Sequence, residues 1–287
     1  MLAALFLVGC GVDWSKPLFS SRTRVIEERP KGEAEFLAQN YAAAAPLIDQ
    51  AAAKGNLRAI FYRRLLSQRG LDGGPLKLYL AQKDLNYLSS RYQDLLRLEK
   101  DSPAEERPLY QTALATLNFL GLNPEKKADL SKALDLATLA AEAGFIPAMN
   151  LLSALTLTAA QDPNAGFFVG GEKACFDWAQ KGADLNDPVA LSNLAALYRQ
   201  GLGSDQNAYY AASLTHAAAT GKWPMARAQN DLGYYYETGF GVTKDLVEAT
   251  RWYGLAAKRG YPLALTNLER LKKKTKGPAK SAVEMEY

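Results

Sequence analysis

The chain has 287 residues, 48% of them hydrophobic, with no low-complexity block, so there is ample apolar material for a buried core. Its net charge of +4 is mild and owes part of its excess to a C-terminal lysine cluster, so no one-sided Lys/Arg face of the kind that binds nucleic acid is expected. The single histidine, His216, rules out every metal or catalytic motif that needs two, and there is no Gly-x-Ser-x-Gly elbow, Walker loop or dinucleotide fingerprint. Adjacent carboxylates such as Glu27-Glu28 and Glu105-Glu106 point apart and cannot flank a scissile bond. No cofactor, no metal and no enzymatic activity are expected.

In chain order, Leu2 to Val8 form a short apolar run that ends in Leu7-Val8-Gly9-Cys10. The run is too short to span a bilayer. Its ending resembles the lipobox of bacterial lipoproteins, which implies cleavage before Cys10 and lipidation of that cysteine. Gly11 rather than Asp follows, which by the same resemblance implies sorting to the periplasmic face of the outer membrane. No Lys or Arg precedes the run, as a signal peptide's first segment requires, so residues 1–10 read as a remnant of such a signal. Residues 11–31 lack a helical period and contain Pro17 and Pro30; they read either as a linker or as an N-terminal cap in which Trp14 and Phe19 cover the first apolar face.

The helical pattern starts at Gly32, and the first helix pair closes at Gly55. Residues 57–70 follow, with Arg58, Arg63, Arg64 and Arg69 expected on a solvated face. The stretch 71–108 breaks the pattern: a turn at Asp72-Gly73-Gly74-Pro75, one long helix from Leu76 to Leu98, and a break at Asp101-Ser102-Pro103. Helices are then expected over 105–120, 126–143 and 148–160. Between Ala160 and Ala174 a Gly-rich loop carries Phe167 and Phe168, which either fold back on the core or offer an apolar knob to a partner. Cys175 falls on a buried helical face, a small hydrophobe rather than a reactive thiol.

The clearest unit is Ala228 to Ala264. Ala228, Leu232, Tyr235 and Tyr236 form the apolar stripe of a first helix, Gly239-Phe240-Gly241 breaks it, and Asp245 caps a second helix that carries Ala249, Trp252, Tyr253, Ala256 and Ala257. Gly260 closes the unit in the left-handed conformation. Closing glycines recur at Gly55, Gly144, Gly182, Gly221 and Gly260, the last three steps being 38, 39 and 39 residues. A fixed period of two helices predicts an all-α solenoid over residues 32–271, with small residues where layers approach closely. The tail 272–287 is basic, lacks apolar periodicity and reads as disordered.

The stretch LGYYYETGFGVTKDLVEATRWYGLAAKRG resembles a Sel-like repeat of the tetratricopeptide superfamily. The preceding unit keeps Leu194, Tyr198, Gly201, Gly203, Ala217 and Ala218, and the match decays toward Ala38. The resemblance implies a right-handed α-solenoid of helix–turn–helix repeats whose first helices line a concave protein-binding surface. Matching the units places Asn150, Ser192 and Asn230 at one projecting register, Tyr234 at the next, and Arg199 and Glu237 one turn later. Tyr235 and Tyr236 fall on packing positions, and Tyr234 is the expected exposed anchor. Two functions follow from the likeness to Sel-like lipoproteins of this size. One is an immunity protein that binds and blocks a type VI secreted phospholipase; the other is a structural adaptor in an envelope or exopolysaccharide assembly complex.

Overall fold

The computed structural model describes residues 28–68, 75–161 and 171–276, and among these it is helical throughout, with no strand. The helices are α1 (Glu33–Leu37), α2 (Tyr41–Ala53), α3 (Leu57–Gln68), α4 (Pro75–Ser90), α5 (Tyr92–Asp101), α6 (Arg107–Phe119), α7 (Leu130–Glu142), α8 (Ile146–Gln161), α9 (Gly171–Asp184), α10 (Pro188–Gln200), α11 (Ala208–Thr220), α12 (Ala226–Thr238), α13 (Leu246–Lys258) and α14 (Pro262–Lys276). From α6 onward they stack as antiparallel pairs, α6 on α7, α8 on α9, α10 on α11 and α12 on α13. The second helix of each pair packs on the first helix of the next. Sequence neighbours thus become layer neighbours, the arrangement expected of a two-helix repeat.

Short polar side chains set where the second helices begin. Asp129 caps α7 by accepting from the Lys132 amide at 2.9 Å, Asn207 caps α11 through Tyr210, and Asp245 caps α13 through the amides of Val247 (2.8 Å) and Glu248 (3.1 Å). Each satisfies amides that the helix leaves without an internal partner. Replacing Asp245 by Ala is expected to lower stability by about 1 kcal/mol, read as a shift in denaturant midpoint at constant slope.

The core changes character along the stack. In the C-terminal layers alanine methyl groups make up much of it, beside larger residues such as Leu152, Leu194, Leu232 and Tyr253: Ala133, Ala137, Ala140 and Ala148 are all fully buried, as are Ala190, Ala211, Ala228, Ala249 and Ala256. Toward the N-terminus the buried side chains are large, including Phe36, Tyr41, Ile48, Phe61, Tyr62, Leu66, Leu88, Leu95 and Tyr110. Helix α6 is buried on every side from Pro108 to Asn118. Its polar groups are met internally: the Thr112 and Thr116 hydroxyls donate to the carbonyls of Pro108 and Thr112, and Asn118 bonds Tyr92 and Leu114.

Several expectations are corrected. The long helix over 76–98 is two helices, α4 and α5, with the backbone turning at Arg91. Ser89 and Ser90 end α4 by sending their hydroxyls to the carbonyls of Leu122 and Tyr87, and Arg91 pairs with Asp94 at 3.0 Å. Of the five closing glycines, Gly55, Gly144 and Gly260 are left-handed, but Gly182 lies inside α9, whose end is turned instead by Asn186 (φ 56°). Gly221 is likewise not left-handed, with φ −56°. Helix α14 continues to Lys276, past the expected boundary at Leu271.

Arg58 does not sit on a solvated face. It is 1% exposed and lies between Glu33 and Glu106. Its guanidinium pairs with the Glu33 carboxylate, donates to Glu106 at 2.5 Å and to the Tyr110 hydroxyl at 3.2 Å, while Tyr62 donates to Glu33 at 3.1 Å. Arg63 similarly pairs with the buried Asp84. Residues 28–31, expected within a linker or cap, are tied to this end of the stack: Arg29 bonds Glu106 at 2.9 Å, and the Glu28 carbonyl accepts from Asn56.

Candidate functional site

The first helices α8, α10 and α12 carry the described residues expected to line a binding face. Tyr234, on α12, is 44% exposed, as its register predicts. It belongs to a stripe at i, i+4, i+7 formed by Arg227, Asp231 and Tyr234. Arg227 approaches Asp231 at 3.8 Å, and Arg199, exposed at the end of α10, acts on the same carboxylate. Burial raises the Asp231 pKa above its ordinary value, and the fields of the two arginines only partly oppose this. The surface around Tyr234 therefore combines one aromatic ring with fixed charges of both signs.

Three other expected members are buried instead of projecting: Ser192, Asn230 and Glu237. Their register falls in the seam between successive first helices, where a polar side chain reaches the next layer before it reaches water. Asn230 accepts from Asn267 on α14 at 2.9 Å and donates to Asp231 at 3.3 Å. Glu237 is clamped by Arg270 of α14 through two bonds of 2.5 and 2.6 Å, and accepts from the Tyr253 hydroxyl at 3.0 Å. Burial pushes the Tyr253 phenol well above its ordinary pKa, and its bond to Glu237 pushes the same way. Asn150, half-buried on α8, donates to Asp187 at 2.8 Å, so it too joins two layers. Asn150, Asn230 and Glu237 hold the repeats in register; of the expected set within the described residues, Tyr234 and Arg199 are the ones open to a partner.

Tyr236, expected in the core, is half-buried between the last two layers, and Tyr253 is the fully buried tyrosine there. Cys175 is buried as expected; burial raises its thiol pKa, and Ser153 donates to its backbone carbonyl at 3.0 Å. His216 is exposed on α11, its ring 6.1 Å from that of Trp252. Cys10, Phe167 and Phe168 lie outside the described residues. Among the described residues no group of three His, Cys, Asp or Glu side chains is placed to hold a metal, and no helix is long and apolar enough to cross a membrane.

The repeat pattern alone did not flag a second exposed aromatic feature. Tyr209 and Val247 occupy the same position on successive second helices, one residue after the first turn begins, and both are largely exposed. Tyr209 borders a shallow groove formed with Tyr236, Gly239, Gly241, Val242 and Thr243. The turn Gly239–Thr243 can lie this close to α11 because Gly241 has φ +69° and packs directly on the Ala208 carbonyl, where a β-carbon has no room. Gly203 makes the equivalent contact with the Glu172 carbonyl one layer earlier.

Known proteins bear on this geometry. The family model described as Sel1 repeat matches residues 108–145, 172–187, 188–222 and 226–261. These stretches correspond to α6–α7, α9, α10–α11 and α12–α13. A Sel1 repeat protein from Oxalobacter formigenes is 26% identical over a similarity that covers 69% of this chain and 77% of that one, with a TM-score of 0.52. The protective antigen c5321 of uropathogenic Escherichia coli, described as displaying an SLR fold, has the same TM-score at 24% identity over 85% of this chain and 48% of its own. Among curated proteins, an uncharacterized protein of Neisseria meningitidis serogroup B is 32% identical over 134 residues. That match takes in 47% of this chain and only 26% of the relative's length. The stacked helix pairs agree with these similarities: the described residues have an all-helical Sel1-like repeat fold, and the stretches matched within 108–261 resemble Sel1 repeats.

Proposed function

We propose that this protein is a non-catalytic binding module, anchored through Cys10 to the periplasmic face of the outer membrane, that neutralises a secreted type VI phospholipase by covering its active-site mouth. The observation that carries the binding part is Tyr234, an exposed aromatic ring on a rigid helix, set beside Arg199, Arg227 and Asp231. A tyrosine so placed buries a large area at low entropic cost, and charges around it steer the encounter and set the register. A Sel1 repeat stack provides a stiff surface and no reacting group of its own, so inhibition is steric.

The test is a pull-down from producing cells followed by calorimetry with the captured lipase. Tyr234→Ala is expected to weaken binding by about 1–2 kcal/mol while leaving the melting temperature nearly unchanged. An unaltered affinity would remove Tyr234 from the interface. Cells lacking the protein should die only when the lipase is delivered. An envelope defect without the toxin would instead favour the adaptor function.

A further inference from the structure

In a linear stack each layer touches its neighbours and nothing further along. Among the described residues, a set of contacts near the N-terminus departs from this rule. The turn that leads into α2 reaches across to the turns that precede α10 and α12. The Gln39 side-chain amide donates to the Leu185 carbonyl at 3.1 Å, and the Tyr41 hydroxyl approaches Asp187 at 3.4 Å, each across 146 residues of sequence. The Tyr41 ring also packs on Trp223, centroids 5.7 Å apart. Trp223 thereby joins the N-terminal apolar cluster of Phe36, Tyr41 and Tyr62, although it belongs to the turn between α11 and α12.

The receiving side is built to be rigid. Asp187 is fully buried, caps α10 through the amides of Val189 and Ala190 at 3.1 Å, and accepts from Asn150 on α8. One carboxylate thus ties two layers together and meets the clasp as well. On the N-terminal side, Gln39 holds a left-handed backbone, φ 56°, unusual for a residue with a β-carbon. That conformation turns the chain sharply between α1 and α2, and it belongs to one of the two contacting residues, with Tyr41, the other, two positions on.

We propose that the α1–α2 turn is a clasp that closes the repeat stack on itself, through Gln39, Tyr41, Leu185, Asp187 and Trp223, and so fixes the curvature of the surface that carries Tyr234. With the clasp shut, the α1–α2 end and the α10–α11 layer move as one body; with it open, each layer is restrained only by its neighbours. The clasp stands apart from the identity of any partner, since every group in it belongs to this chain.

Hydrogen–deuterium exchange on the full-length chain tests this. Trp223→Ala alters a turn near the C-terminal layers, yet it should speed amide exchange in residues 33–53 by about tenfold, while α6, packed on all sides, is unaffected. Acceleration confined to residues around 223 would overturn the clasp. Gln39→Ala, a mild change on a partly exposed side chain, provides the reverse reading: faster exchange over 185–190, with the circular dichroism spectrum unchanged. Unchanged exchange there in a folded Gln39→Ala protein would equally overturn it.

Discussion

Replacing Arg58 with methionine is expected to lower the free energy of unfolding by about 3–5 kcal/mol, because it leaves two carboxylates, Glu33 and Glu106, at a buried site without their shared cation. Burial alone would lower the Arg58 pKa, but the bonds to Glu33 and the neighbouring Tyr110 more than offset this and keep the guanidinium charged. Burial likewise works to raise the Glu106 pKa, and Arg29 and Arg58 together hold it below the ordinary value. A carboxyl depressed in the folded state contributes stability above its unfolded pKa of about 4.3 and loses it as the pH falls through the folded value. The wild type should therefore lose stability in acid below about pH 4 more steeply than Arg58→Met does. Urea titrations at pH 7 and pH 3.5, followed by circular dichroism, check both effects. Arg97→Ala is the control: that side chain is half-exposed and 3.9 Å from Asp94, so its loss should cost less than about 0.5 kcal/mol. A loss below 1 kcal/mol for Arg58→Met would mean that water compensates the pair.

Gly241→Ala should be comparably damaging, on the order of 3 kcal/mol, from two sources that add. Its left-handed backbone costs a residue with a β-carbon about 1–2 kcal/mol. The new methyl would also collide with the Ala208 carbonyl and the Ala212 side chain, and backbone cannot move aside as a flexible side chain can. Gly144→Ala separates the two contributions. Gly144 is also left-handed, φ 84°, but a β-carbon there meets nothing within 4 Å. It should cost only the backbone part, about 1–2 kcal/mol. Equal effects at the two positions in thermal unfolding would show that the turn of α12 gives way more easily than its packing implies.

The two glycines also show what the sequence could reveal. The helix pairs were legible because a first helix, a Gly-x-Gly turn, an Asp cap and a closing glycine each require a particular residue type at a particular place. Asp245 and Gly260 act as that reading expects. Between the first helix pair and α6, the N-terminal layers were not legible as regular repeats. There, large side chains such as Phe61, Tyr62 and Leu95 fill the space between helices, and many combinations of large residues fill a volume equally well. The break at Arg91 was hidden for a related reason: an unbroken apolar stripe does not say whether the backbone bends beneath it. Arg58 was misplaced because a run of arginines carries no sign of the distant Glu33 and Glu106 that draw one of them inward.

The binding face was half legible for a geometric reason. Register identifies which positions leave the helix away from its own partner, but it cannot say whether the next layer or solvent lies there. Asn230 and Glu237 meet Asn267 and Arg270, while Tyr234 meets no such clamp. The stripe of Arg227, Asp231 and Tyr234 could have been found beforehand by counting i, i+4, i+7 outward from the apolar stripe of the same helix.

The alanine seams have a consequence for accuracy of construction. Where Ala133, Ala148, Ala190, Ala228 and Ala249 meet the facing helix, single methyl groups set the thickness of each layer. Close-packed interiors compress little, so an enlarged residue at one seam tilts every later layer rather than being absorbed locally. Angular errors then accumulate with distance, as along a lever arm. A bulkier side chain at Ala148 would do little to its own surroundings compared with the displacement it produced several layers away, at Trp223 and at Tyr234. The smallest side chains in the molecule thus act as its gauge blocks, fixing by their size where its far end lies.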